Sequence, residues 1–158
     1  MNDQASQSSS DLLTRTACFC NSVRRADRAL RRYYDGVLAP AGVRGTQLTA
    51  LLTLDEHGPL SIVRLGEELS IDHTTLSRNL RPLAARGWIR VRTGKDRRTR
   101  AVALTAAGGR VARAAVPLWR LAQSRLIERF GDAESRNLLA QLAKLRKTVN
   151  ALSENAKN

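Results

Sequence analysis

Between Asp11 and Val37 the apolar positions fall at Leu12, Phe19, Val23, Ala26, Leu30, Tyr33 and Val37, with Thr16 in the remaining slot. Steps of four and three follow the 3.6-residue helical repeat, so the spacing predicts one long amphipathic helix. Ser10 or Asp11 is suited to cap its start, while Pro40 and Gly42 end it. Its opposite face carries Arg15, Arg25, Arg28 and Arg32. A shorter helix is expected after a Thr46 cap, burying Leu48, Leu51, Leu52 and Leu54 before Gly58 and Pro59. A third helix, Ile62 to Leu69, follows a Ser61 cap. The break Ser70-Ile71-Asp72 then leads, with Asp72 as N-cap, into a fourth helix that runs to Ala85 and stops at Gly87.

Beyond Gly87 the period changes from 3.6 to 2. Residues Trp88 to Arg92 and Arg100 to Leu104 read as two short strands, joined through Gly94 and Asp96 into a hairpin with a longer loop. Helical patterning resumes from about Ala106 to Phe130, with a kink expected at Pro117. Past Gly131, an Asp132 cap opens a last helix whose Leu138, Leu142, Leu145, Val149 and Leu152 step four-three-four-three. No internal repeat is visible. The first ten residues are rich in Ser and Gln and read as a disordered lead.

Composition narrows the function. A chain of 158 residues suits one domain and leaves no room for a separate catalytic module. Apolar residues are 42% of it but aromatics only 4%, so the core is built from Leu, Val and Ala. No apolar run approaches the roughly 20 residues that span a bilayer, and residues 1–10 lack the apolar stretch of a signal peptide. A cytoplasmic protein with no membrane partner is expected. The balance of 27 Lys and Arg against 14 Asp and Glu, a net +13, asks for a polyanion. There is no Gly-rich phosphate loop, no Ser-His-Asp spacing and no isolated carboxylate pair, so no enzyme and no cofactor are expected. His57 and His73 are too few for a metal site.

The order helix, helix, tight turn, helix, basic hairpin is the central observation. Wrapped at 100° per residue, the Asp72–Ala85 segment puts Leu76, Leu80 and Leu83 on one side. Thr74, Ser77, Arg78 and Arg81 fall on the other, with His73 at the edge and no acid among them. Arg can donate two hydrogen bonds to guanine, and Ser or Thr can reach bases or phosphates. A solvated basic helix would look the same; the hairpin separates the two readings. It carries Arg90, Arg92, Lys95, Arg97, Arg98 and Arg100 against one acid, Asp96, which is placed to brace Arg98 or Arg100. A hairpin so charged beside such a helix is a wing that lies along phosphates or in the minor groove. The expected fold is mainly α with a small β-hairpin wing, a winged helix-turn-helix.

Several pieces resemble the multiple-antibiotic-resistance regulator (MarR) family. They are Leu38-Ala39-Pro40-Ala41-Gly42 with Gln47, Leu65-Gly66-Glu67-Glu68-Leu69, Thr74-Thr75-Leu76-Ser77-Arg78, Leu83 with Gly87-Trp88-Ile89, Asp96-Arg97-Arg98-Thr99-Arg100, and Leu104-Thr105 with Gly108. The resemblance implies a homodimer whose first and last helices interlock, presenting two winged helices to a palindromic operator in double-stranded DNA. The recognition helix would offer His73, Thr74, Thr75, Ser77, Arg78 and Arg81, and the wing Lys95, Arg97, Arg98 and Arg100. The implied organisation is a lead at 1–10, a dimerisation helix and linker at 11–45, a winged helix-turn-helix at 46–105 and C-terminal dimerisation helices at 106–158. Two departures from the family pattern stand out. Pro82 lies within the recognition helix, and no proline follows Leu104-Thr105, leaving the next helix start undefined.

The resemblance also implies release from DNA by a signal, most often a small anionic aromatic and sometimes an attack on a thiol. Cys18 and Cys20 are the candidate thiol sensors; placed in one helix they point about 200° apart and cannot bond without unwinding. Cys20 flanks the apolar seam and is expected to be buried, whereas Cys18 shares its face with Arg15, Ser22 and Arg25. A pocket between the first helix and the Arg110–Phe130 helix, lined by Tyr33, Tyr34, Trp119 or Arg120, is the alternative. A nonspecific architectural DNA-binding protein is the competing class.

Overall fold

The computed structural model describes residues 18–93 and 100–155. Residues up to Trp119 form one compact unit and those from Arg120 onward a second. The first unit contains α1 (Phe19–Leu38), a 3-10 turn (Ala39–Ala41), α2 (Gly45–His57), β1 (Leu60–Ser61), α3 (Ile62–Leu69), α4 (His73–Ala85), β2 (Ile89–Thr93) and β3 (Arg100–Leu104). It closes with the first half of α5 (Ala106–Phe130); the second unit has the rest of α5 and α6 (Asp132–Asn155).

The start of α1 differs from the expectation. Cys18 is its N-cap in extended conformation, so the described helix opens at Phe19, while the expected cap at Ser10 or Asp11 lies outside the described residues. At the other end Pro40 tightens the chain into the 3-10 turn. Gly42 then takes φ +66°, a left-handed conformation costly for other residues, and its N–H reaches the Ala39 carbonyl at 2.9 Å. Helix α2 begins at Gly45 rather than after Thr46, because Gln47 Oε1 accepts the Arg44 N–H at 3.0 Å and holds the turn one step earlier. Asp35 Oδ1 accepts the Gly45 N–H at 2.8 Å, tying the end of α1 to the start of α2.

The α3–α4 turn follows the sequence closely. Ser61 Oγ accepts the Arg64 N–H at 3.1 Å and Asp72 Oδ1 accepts the Thr75 N–H at 2.9 Å, so both helices are capped as expected. Ser70 adopts φ +52°, and the Ser70 and Ile71 N–H groups return to the Glu67 and Gly66 carbonyls. Gly66 permits this closeness, since a Cβ there would sit 3.0 Å from the Ile71 oxygen. Pro82 does not interrupt α4, which runs unbroken to Ala85. Its missing N–H removes the usual donor to the Arg78 carbonyl, and Arg78 lies on the exposed flank of the helix.

The sheet has three antiparallel strands in the order β1-β3-β2, not the two of the expected hairpin. A strand of two residues, Leu60 and Ser61, is too short to show alternation in the sequence. Strand β2 starts at Ile89, one residue later than expected, and pairs Ile89 with Leu104, Val91 with Val102 and Thr93 with Arg100. Leu38, Leu48, Leu51, Leu54, Leu65, Leu76 and Leu83 from the helices and Val102 from β3 are fully buried and form the core.

Where the sequence left the start of α5 undefined, Thr105 supplies it. Its Oγ1 accepts the Gly108 N–H at 3.1 Å and donates to the Gly87 carbonyl at 2.7 Å. The Thr105 N–H reaches the Trp88 carbonyl at 3.1 Å, so α5 is stitched to the turn after α4. Gly108 completes the junction, because a Cβ there would collide with the Trp88 carbonyl oxygen. Gly108→Ala is expected to lower unfolding stability by about 2 kcal/mol or more, read from the urea midpoint. Gly109→Ala, whose Cβ would meet only the mobile end of Arg113, is expected to leave the midpoint unchanged or raise it.

Candidate nucleic-acid interface

Helix α4 has two unlike faces. Leu76, Leu80 and Leu83 are buried, whereas His73, Thr74, Thr75, Ser77, Arg78 and Arg81 are all exposed. This division follows from the helical repeat: once one leucine stripe enters the core, the residues opposite face water. Among the described residues no carboxylate pairs with Arg78 or Arg81. The neighbouring Arg64 of α3, by contrast, is engaged by Glu67 at 2.7 Å and Glu68 at 2.9 Å. The only acid at α4 is the cap Asp72. Hydrogen bonds from Thr75, aided by the Thr74 and Asp72 amides, hold its carboxyl below the ordinary aspartate range despite a small opposing effect of burial.

The root of the hairpin sits against this helix. Val91 of β2 shares a small hollow of about 130 Å³ with Ile62, Ser77, Leu80, Arg81 and Ala84. By register Arg90 lies opposite Ala103 and Arg92 opposite Ala101, and both arginines are exposed. Arg100 opens β3. Lys95, Asp96, Arg97 and Arg98 lie outside the described residues, as does the expected bracing contact of Asp96.

Both cysteines are free and exposed, which corrects two expectations. Cys18 stands outside α1 in extended conformation, so the 200° separation argued for two helical residues does not apply. Cys20 is not a buried filler, because the seam formed by Phe19 and Val23 is itself uncovered within one chain.

A groove of about 260 Å³ is lined by Leu30, Arg31, Tyr34, Leu48, Leu52 and Trp119, among others. It contains Tyr34 and Trp119 of the four expected lining residues. Tyr33 instead meets Tyr34 edge-on at 5.6 Å, and Arg120 belongs to the second unit. Arg31 pairs with Asp27 at 2.8 Å. Burial, followed by the charge of Tyr33, pushes the Tyr34 hydroxyl above its ordinary pKa. Among the described residues no cluster of three His, Cys, Asp or Glu is placed to hold a metal, and no helix is long and apolar enough to cross a membrane.

One contact was invisible in the sequence. Arg86, at the end of α4, donates through Nη1 to the Gly42 carbonyl at 2.7 Å, and its guanidinium carbon lies 4.9 Å from the Trp88 ring. The bonded groups are 44 residues apart and the acceptor is a backbone oxygen, so no side-chain pattern announces it.

Comparison with known proteins agrees with this geometry. A model of the MarR family matches residues 41–99. The M. tuberculosis transcriptional regulator MosR, solved in complex with DNA, is 33% identical, with a TM-score of 0.73 over 84% of this chain and 98% of that one. The chain belongs to the MarR family. An organic hydroperoxide resistance transcriptional regulator of Bacillus subtilis is 30% identical over 100 residues, 63% of this chain and 68% of that protein. A further B. subtilis HTH-type regulator, YwoH, is 26% identical over 85 residues, and the match spans 62% of its length. This MarR-family protein is thus a transcriptional regulator with the winged helix fold, and its relatives are regulators rather than enzymes.

The Asp72 cap gives a pH signature. A carboxyl whose pKa is lowered by folding stabilises the protein above its unfolded pKa, near 4, and that contribution is lost as pH falls through the lower folded value. Asp72→Asn keeps a capping side chain but does not titrate. Its urea midpoint is expected to fall less between about pH 4 and pH 2 than that of the wild type.

Proposed function

We propose that this regulator is a cytoplasmic homodimeric repressor that reads a palindromic operator with α4 and grips the flanking phosphates with its wing. The exposed, acid-free flank of His73, Thr74, Thr75, Ser77, Arg78 and Arg81 carries the reading. Hydroxyls and guanidinium groups on one stripe suit base edges and phosphates together, whereas charge alone would require no hydroxyl pattern. Lys95, Arg97, Arg98 and Arg100 serve the wing, with Asp96 as their brace. Repression is the direction that the family resemblance favours.

Two uncovered stripes support the dimer. In α1, Phe19 is 68% exposed with Val23 and Leu30 beside it on the helical repeat. In α6, Leu139 and Leu152 are 62% and 64% exposed, and Leu138, Leu142 and Val149 join them. Apolar stripes of this length call for a covering surface, and a second copy provides one of matching chemistry.

The signal reaches Cys18 and Cys20 at the exposed start of α1. The name of the B. subtilis relative, a regulator of organic hydroperoxide resistance, points to the class of oxidant. A hydroperoxide transfers its distal oxygen to a cysteine thiolate as the O–O bond breaks, and the departing alkoxide takes a proton from water, giving a sulfenic acid, an alcohol and hydroxide; this places a polar group beside Phe19 on the dimer seam. The Tyr34–Trp119 groove is the second candidate and fits a small aromatic acid.

Selection of bound sequences from a random DNA pool tests the main reading. The selected site is expected to be a palindrome bound at least about 10³-fold more tightly than random duplex. Arg78→Ala should relax base preference, while Arg98→Ala should weaken all duplexes alike and reduce the salt slope. Near-equal binding to every duplex would identify an architectural protein instead. For the sensor, an organic hydroperoxide should release the wild type from its operator but not the Cys18→Ser/Cys20→Ser variant; equal release of both removes the cysteines from the mechanism.

A further inference from the structure

The contact between Arg86 and Gly42 lies outside the DNA-facing flank and outside the sensor, and it ties the end of α4 to the turn after α1. Gly42 follows the 3-10 turn that closes α1, and the segment carrying it is held from several sides. Leu38 and Val43 are buried on either side of it, Asp35 binds the Gly45 N–H, and the turn closes through the Gly42 N–H. The Gly42 carbonyl is therefore a fixed point in register with the end of α1. Arg86 is solvent-exposed but held at more than one point. It closes the last turn of α4 through its own N–H to the Pro82 carbonyl, and its guanidinium lies over Trp88. Trp88 in turn is held to α5 by Thr105 and by the close approach of Gly108.

The leucine stripe cannot do this work alone. Apolar burial fixes how deep α4 sits, but it is non-directional and leaves small rolls and tilts open. A charge-assisted hydrogen bond has a preferred direction and a narrow range of length. Its position at the far end of the helix gives it leverage. The 13 residues of α4 span about 20 Å, so a tilt of roughly 10° about one end displaces the other by about 3 Å. A shift of that size exceeds the tolerance of a hydrogen bond to a base edge.

We propose that Arg86 is a positioning residue that sets the pitch of α4 relative to α1. This inference rests on the proposed dimeric operator reading, because α1 carries the seam through which one recognition helix is registered against the other. Arg86 then governs the spacing of the two half-sites that the dimer accepts, without touching DNA itself.

The test uses the full-length dimer and four duplexes: the selected palindrome, the same site with one base pair inserted at its centre, an isolated half-site and random sequence. Arg86→Met keeps the aliphatic stem and removes the donors; Arg86→Lys restores one donor. Arg86→Met is expected to lose about 10-fold on the palindrome, to lose the wild type's preference over the altered spacing, and to change by under about 3-fold on the half-site and random duplexes. Its oligomeric state and urea midpoint should match the wild type, and Arg86→Lys should recover part of the loss. An equal loss on all four duplexes would make Arg86 an ordinary phosphate contact and overturn the proposal, as would unchanged palindrome binding or a loss that only tracks reduced stability. If the wild type itself shows no palindrome preference, the operator reading has failed, and this inference falls with it.

Discussion

The stripe formed by Leu76, Leu80 and Leu83 is the contact on which the arrangement depends. Each of the three is buried, and together they fix one side of α4 against α2, α3 and the sheet. Because a helix turns 100° per residue, that burial simultaneously decides which residues face out. Thr74, Ser77, Arg78 and Arg81 owe their exposure to leucines they do not touch. The Asp72 cap and the left-handed Ser70 set where the helix begins, and so which leucine enters the core first. A slip of one residue there would rotate the outward stripe by about 100° and turn Ser77, Arg81 and Ala84, or Thr75, Asn79 and Pro82, toward the core.

Much of this was legible because it is local. Caps at Ser61 and Asp72, the stop at Gly87 and the leucine stripe each depend on residues within one helical turn of one another. What escaped is non-local or too short to carry a period. Strand β1 has two residues, and it exists because β3 offers Val102 and Ala101 as partners. The hydroxyl of Thr105 was noticed as part of a motif, yet its role comes from the carbonyls of Gly87 and Trp88, supplied by the chain 17 to 18 residues earlier. Arg86 resembled any basic residue at a helix end until its acceptor, Gly42, was placed beside it. Expecting Cys20 to be buried failed for a related reason: the apolar seam it flanks, Phe19 and Val23, finds no cover within the chain.

Charge played a different part from pattern. A net +13 makes attraction to a polyanion certain to matter, but attraction is long-ranged and indifferent to sequence. Several arginines are already engaged within their own helices, Arg31 with Asp27, Arg64 with Glu67 and Glu68, and Arg136 with Asp132. Such exposed pairs contribute little to stability, yet they lower the local positive potential on α1, α3 and α6. Helix α4 and strand β2 have no acid within their own spans. The arginines of α4 and β2 are therefore uncompensated by any acid of their own element, on the elements that also carry the hydroxyl pattern, although the two features arise from independent choices of residue.

The turn after α4 is where these constraints meet. Within three residues, Arg86 reaches the segment following α1, Gly87 takes φ +68° to reverse the chain, and Trp88 receives the N–H that starts α5. Both α1 and α5 lead away from this junction as long helices, and α1 bears a stripe that one chain leaves uncovered. Gly87 and Gly108 are glycines for different reasons, one for its backbone angle and one for lack of space, and both serve the same close approach. A recognition helix anchored only by leucines would transmit little of what happens to α1. In this chain α4 is anchored at its far end as well, by the bond from Arg86 to the turn that closes α1.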